Sequence, residues 1–468
     1  MRGRRLIGVA MLATLTIGVA ACSSDDSSDE AADSTATTAP AGASGDGATI
    51  AVPADHATIQ EAVNAAAPGD LILISPGVYN EAVDVETENL TIRGLDRNEV
   101  ILDGQFELEN GIRVLADGVA VENMTAQNYT TNGFFWTGIT GYRGSYLTAY
   151  RNGDYGVYAF DSVKGQFDHS YGSGSPDAGF YIGECYPCDS VITDSISEYN
   201  GLGYSGTNSG GNLLIINSRF NNNRAGIVPN TGSYELCYPE RETTIIGNTV
   251  FDNGQTDTPA IGAAIDAMGT GIIIPGGVNN LVERNLVYDH PISGIILVPY
   301  PETNASDLPP DESTWDTPCA ETKDDPLTTE EIPETIYWQP IGNTIKDNVV
   351  SGSGLSDLAI GTVGADPSTL RNCFAGNTFE TSAPADVEAL APCEGEPAAG
   401  NWVDKAVTDI LSALLAGDKP PSVDYETAST PAPPKQDNMP DAATAPARPA
   451  TDVPMAFDTD AIVVPTKP

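Results

Sequence analysis

The chain has 468 residues and sets 21 Lys and Arg against 65 Asp and Glu, a formal charge of −44. That balance excludes a nucleic-acid partner, which needs a basic face, and disfavours a polyanionic substrate unless a local basic patch or bridging cation intervenes. With 47 Gly, 34 Pro and 40% hydrophobic residues, there is material for a core but not for a transmembrane bundle.

Arg2, Arg4 and Arg5 precede an apolar run from Leu6 to Ala20, then Val19-Ala20-Ala21-Cys22 and Ser23-Ser24-Asp25-Asp26. A basic start, a short apolar stretch and small residues before a cut form an export signal over residues 1–21. The Cys directly after that cut resembles a bacterial lipoprotein signal. The resemblance implies a lipid on Cys22 and a location on the extracytoplasmic side of the cell membrane. Residues 22–48, rich in Ser, Asp, Ala, Thr and Gly, read as a flexible acidic tether.

The body repeats. Gly followed by an apolar or aromatic triplet recurs at 111, 133, 156, 179, 203, 226, 271 and 294, in steps of 22, 23, 23, 24, 23, 45 and 23. The step of 45 is one period carrying a long loop, or two periods with one degenerate. Asn recurs at turns before short strands, as in Asn217-Ser218, Asn248-Thr249, Asn285-Leu286 and Asn348-Val349. A period near 22 with β-type runs predicts a solenoid. No helical period survives, and the Leu pattern of leucine-rich repeats is absent. What remains is an all-β parallel β-helix over residues 49–395, its coils about 4.8 Å apart. Asn suits its turns, because it tolerates left-handed dihedrals and can hydrogen-bond from coil to coil.

The opening Ala57-Thr58-Ile59-Gln60-Glu61-Ala62-Val63 leads to Pro68-Gly69-Asp70-Leu71-Ile72-Leu73-Ile74, then to Gly77-Val78-Tyr79-Asn80-Glu81 and Leu90-Thr91-Ile92-Arg93-Gly94. This resembles right-handed parallel β-helix proteins of the pectin-lyase-like superfamily, NosD-like relatives included. The resemblance implies a right-handed solenoid with an N-terminal capping helix over residues 58–66. It is specific for fold and poor for function, since many chemistries share the scaffold. The motifs of pectin methylesterases and the Asp-Pro-His signature of alginate epimerases are absent.

Alternation after each repeating Gly points the second residue outward: Phe135, Tyr158, Tyr181, Ser205, Val228, Ile273 and Ile296. Phe135, Tyr158 and Tyr181 would form an aromatic row, a platform for sugar rings. Asp154 and Asp177 recur one coil apart, as do Asp161 and Glu184. Stacked carboxylates raise a pKa or attract a cation, and beside an aromatic face they suit acid/base attack on a glycosidic bond. Arg143, Arg151 and Lys164 are the nearby cations for ligand binding. Asp168 and His169 are a further acid/base candidate. The alternative is that all these acids are solvated turn residues in a very acidic protein.

Residues 301–340 interrupt the repeat with eleven acids against Lys323 alone, a loop that could wall a groove. Calcium is the cation it could hold, though it lacks EF-hand spacing; no other cofactor and no metal site are expected. With Cys22 lipidated, six Cys remain, which in an exported chain favours three disulfides. Loop proximity suggests 185–188, 237–319 and 373–393, one of 15 connectivities. Residues 396–417 contain a short amphipathic helix, either a cap or an idle remnant. Residues 418–468, rich in Pro and Ala, read as a disordered tail. Three functions compete: a membrane-anchored lipoprotein binding a polysaccharide such as a cell-wall glycan, a glycan hydrolase, lyase or epimerase on the same face, and a NosD-like metal-delivery accessory.

Overall fold

The computed structural model describes residues 47–323, 328, 330–415 and 419–467. The expected export signal, Cys22 and most of the tether lie outside these residues. The body is a right-handed parallel β-helix. Strands starting from the repeating Gly form one 11-stranded parallel sheet, running from Val83–Val85 to Ser382–Ala383. Twenty further strands form an assembly of two ladders, joined where Val119–Gln127 and Thr140–Tyr150 run through both, and Tyr300–Thr303 pairs antiparallel with Thr335–Trp338 outside the coils. In coil order, the first sheet passes through Leu71–Ile74 and Ser190–Thr193, the second through Gly77–Tyr79 and Ile196–Glu198, and the third is the Gly sheet.

The registers stack coil on coil. Phe134 pairs with Val157, which pairs with Phe180; Ile272 pairs with Ile295. These residues, with Trp136, Ile182, Tyr204, Ile227 and Leu297, lie inside the prism with essentially no exposure. Burying each large apolar side chain stabilises the fold by about 1.5–3 kcal/mol. The Gly that opens each strand is required by close approach: a Cβ on Gly156 would sit 2.6 Å from the Gly179 carbonyl oxygen one coil away.

The Asn ladder forms at the turn between the first and second sheets. Asn248, Asn285 and Asn348 each donate a backbone N–H to the Oδ1 of the next, Asn285, Asn348 and Asn377, at 2.9–3.0 Å. Glu388 closes the column by accepting from Asn377. The left-handed residue is the one before each ladder Asn: Gly247, Arg284, Asp347 and Gly376. The two reasons for Asn in these turns therefore fall on different positions.

Both ends are closed. Helix Ile59–Ala65 starts where Thr58 accepts a hydrogen bond from the Glu61 N–H, and it lays Ile59, Ala62 and Val63 over the first coil. The far end is closed by Val387–Leu390, with Val387 inside the main core. The helix expected within 396–417 spans Lys405–Leu414 and lies on the side, burying Val407, Ile410 and Leu414 against the outer face of the third sheet beside Ile296 and Ala359.

Where the composition predicts a disordered tail, residues 419–467 form a strap along the solenoid. The physical reason is a set of guanidiniums needing acceptors. Arg224 donates to the carbonyls of Pro420 and Pro421, Arg97 to that of Asp437, and Arg93 to those of Ala445 and Pro446. The strap then turns back, with Ala450 donating to Gly118 and Arg284 donating to Thr459. Among the described residues no helix is long and apolar enough to cross a membrane.

Candidate functional site

Third-sheet strands Tyr155–Phe160 and Ala178–Gly183 carry the site. At their start, the Asp177 N–H donates to the Asp154 carbonyl at 3.1 Å, so the two acids occupy successive rungs. Burial pushes Asp154 up to about 6. It pushes Asp177 up to about 7, the Asp154 charge adding to the effect and a Tyr155 hydrogen bond opposing it.

At the strand ends, Asp161 lies one rung from Glu184, its N–H donating to the Gly183 carbonyl at 3.2 Å. Burial and then the Asp161 charge raise Glu184 to about 7, against Lys323. Lys323 Nζ bonds both Asp161 oxygens at 2.7 Å. Seven residues of extended chain separate the two acid pairs by about 23 Å.

Between them lie the aromatics, in the predicted column. Tyr158 stacks on Phe135 at 4.6 Å and on Tyr155 at 4.3 Å, and meets Tyr181 edge-on at 4.9 Å. The expected open row is corrected at Tyr181, which is fully buried. The chain between 230 and 241 folds over it, and the Tyr181 hydroxyl donates to Glu235 Oε2 at 2.5 Å. Phe135 and Tyr158 remain partly exposed.

Glu235 is the group the sequence reading misses. It lies in the long step between Gly226 and Gly271, where no column reports on it; the adjacent Tyr234-Glu235 pair within that insertion was the available signal. Its loop is held firmly. Asn208 Nδ2 donates to the carbonyls of Gly232 and Glu235 at 2.7 and 2.8 Å. Ser233 donates from its N–H and its hydroxyl to Glu302, which also accepts from Trp338 Nε1 at 2.7 Å. Disulfide Cys237–Cys319 ties the same loop to the acidic segment that supplies Lys323. Cys185–Cys188 and Cys373–Cys393 complete the three pairings expected from loop proximity. Burial raises Glu235 to about 8, with the charges of Glu184 and Asp177 adding and the Tyr181 hydrogen bond opposing. Glu235 thus couples the two acid pairs across the strands.

The other expected residues are elsewhere. Arg143 is on the first sheet, bonded to Glu122 and to the strap carbonyl of Arg448. Arg151 donates to the strap carbonyls of Tyr425 and Glu426. Lys164 is exposed on the first sheet beside Asp189, Asn212 and strap residue Met455. As ligand-binding cations on the aromatic face these three are corrected: the strap or solvent takes them, and Lys323 is the cation at the site. Asp168 ends a first-sheet strand, and His169 lies 3.7 Å from it, stacked on Tyr146. The neighbouring Asp168 carboxylate raises the His169 pKa. This pair does not join the third-sheet acids. Among the described residues, no group of three or more His, Cys, Asp or Glu could hold a metal ion.

No family model matches the chain, and none of the curated proteins does. Solved structures match it at low identity. The A-module of mannuronan C-5 epimerase AlgE6 from Azotobacter vinelandii is 15% identical, covering 70% of this chain and 95% of that one, with a TM-score of 0.46. The AlgE4 A-module of the same organism is 14% identical, covering 67% and 90%, with a TM-score of 0.40. Pectate lyase Pel9A is 12% identical, covering 71% and 76%, with a TM-score of 0.37. Scores this low carry no argument about chemistry, and the β-helix stands on the strand registers described above.

Proposed function

We propose that the chain takes a neutral polysaccharide along the outer face of the third sheet and hydrolyses it there. One observation carries the reading: Glu235, raised to about 8, accepts from the Tyr181 hydroxyl beside Tyr158 and feels the charges of Asp177 and Glu184, each raised to about 7. Carboxyls held protonated near neutral pH beside aromatic rings mark a functional cleft, and a protonated acid can donate to a glycosidic oxygen. Tyr158 and Phe135 would pack against the apolar C–H face of a sugar ring. Glu235 is the proton donor in this reading, and Asp154, with the lower pKa of about 6, the base. A uronate fits less well. Lyase or epimerase chemistry needs a cation to stabilise the developing charge, and Asp161 already holds Lys323.

A second reading, glycan binding without turnover, is favoured by the aromatic face itself: Phe135 and Tyr158 stack at 4.6 Å and both stay partly exposed. A panel of neutral glycans separates the readings. Hydrolysis predicts new reducing ends, lost by about 10²–10⁴ in Glu235→Gln with little change in affinity. Binding predicts retention without reducing ends, weakened by Tyr158→Ala. Neither retention nor turnover on any glycan removes both.

We also propose that Cys22 bears the lipid that anchors the chain on the extracytoplasmic side of the membrane. The basic start, apolar run and small residues before Cys22 support this. Mass spectrometry of the mature N-terminus tests it.

A further inference from the structure

The third-sheet face changes character beyond Tyr181. Its outward column continues as Ser205, Val228, Ile273 and Ile296, and a roof of Ala263–Asp266 and Lys405–Leu414 lies over it. Floor and roof do not meet everywhere. They leave a recess of about 240 Å³ lined by Val228, Ile273, Val298, Ala267, Leu411 and Leu414, with Asp266 in its wall and Leu415 and Tyr337 exposed at its rim. Val228, Ile273 and Val298 are buried, so the floor is shielded from solvent. An apolar cavity of about 150 Å³ is already large enough to admit a hydrocarbon ligand.

The cavity adjoins the acid site. Asn230, in its wall, donates to the Tyr234 hydroxyl at 2.5 Å, and Tyr300, also in its wall, packs edge-on to Tyr234 at 6.1 Å. Tyr234 immediately precedes Glu235. A molecule lying over Glu235 therefore has an apolar recess one side chain away.

We infer that this recess binds an unbranched alkyl chain, and that the ligand of the adjacent face is a glycan carrying such a chain. The volume and apolar lining select an aliphatic group. The second half of the inference rests on the glycan reading above; the first does not.

Calorimetric titration of the full chain with 1-alkanols from butanol to decanol, and with the matching alkyl glucosides, tests both halves. Affinity should rise about fourfold per methylene until the recess is full and then level off. Val228→Phe, which fills the recess, should abolish the rise, and Ile273→Ala, which enlarges it, should move the plateau to longer chains. Absence of chain-length dependence, or a dependence that Val228→Phe leaves intact, overturns the inference. Alkanols that bind while glucosides gain nothing would leave the recess standing and sink its link to a glycan. Glycans that bind while alkanols do not would sink the recess alone.

Discussion

Two outer faces of this solenoid bury ionisable groups, and they treat them in opposite ways. On the first sheet, Glu122 accepts from Arg93 Nε at 2.7 Å and from Arg143 Nη2, and the strap carbonyls take the remaining donors. On the third sheet, Asp154, Asp177, Glu184 and Glu235 are withdrawn from water; Lys323 acts on Glu184, but Asp161 holds it. The first arrangement satisfies each charge and reads as architecture. The second keeps acids at a cost to stability, as sites for chemistry do. A β-helix supplies the same backbone to both faces; the cover and the counter-ions make the difference.

The sealed face is broken most severely by removing the strap. A chain ending at Leu415 leaves Arg93, Arg97 and Arg224 without their strap carbonyl partners. At about 1.5–3 kcal/mol for each hydrogen bond to a charged group, the loss should be on the order of 5 kcal/mol or more, read from the urea midpoint. An unchanged midpoint would show the strap to be decoration.

Glu122→Ala attacks the same face more locally. It strands two buried guanidiniums and should cost about 3–5 kcal/mol, with no effect on glycan retention.

The open face should respond in the opposite sense. Asp177 and Glu235 have folded pKa values of about 7 and 8, above the ordinary carboxyl range near 4. The native state therefore binds protons more tightly than the unfolded chain. Stability should be greatest at about pH 4 and below as far as these groups are concerned, and fall as pH rises through about 8. Asp177→Asn and Glu235→Gln should flatten that fall and leave the protein as stable as the parent or more so at pH 8. A stability loss in both variants at pH 8 would show that the acids are structural and erase the contrast between the faces.

The columns were legible because a β-helix converts a sequence period into a spatial stack. Gly133, Gly156 and Gly179 predict that Phe135, Tyr158 and Tyr181 lie one above another, and the registers place them so. The stacking of Asp154 on Asp177 and of Asp161 on Glu184 follows from the same spacing. Glu235 was not legible, because a loop between coils has no period to fix it. Nor were the true partners of Arg143 and Arg151, whose carbonyl acceptors lie hundreds of residues away, at Arg448 and Glu426. The Pro- and Ala-rich sequence of the strap predicts disorder because it has no core of its own; its order comes from donors on the solenoid.

By itself, then, the amino-acid sequence determined the solenoid, its inward and outward columns and the helix that starts it, since these depend on local periodicity and on neighbours one coil away. Only the tertiary structure decided which outward residues stay open, which charges find partners and which acid joins the site. Those outcomes depend on segments far apart in the chain folding over a common face, and burial by such segments is what moves the carboxyls of Asp177, Glu184 and Glu235 toward neutrality.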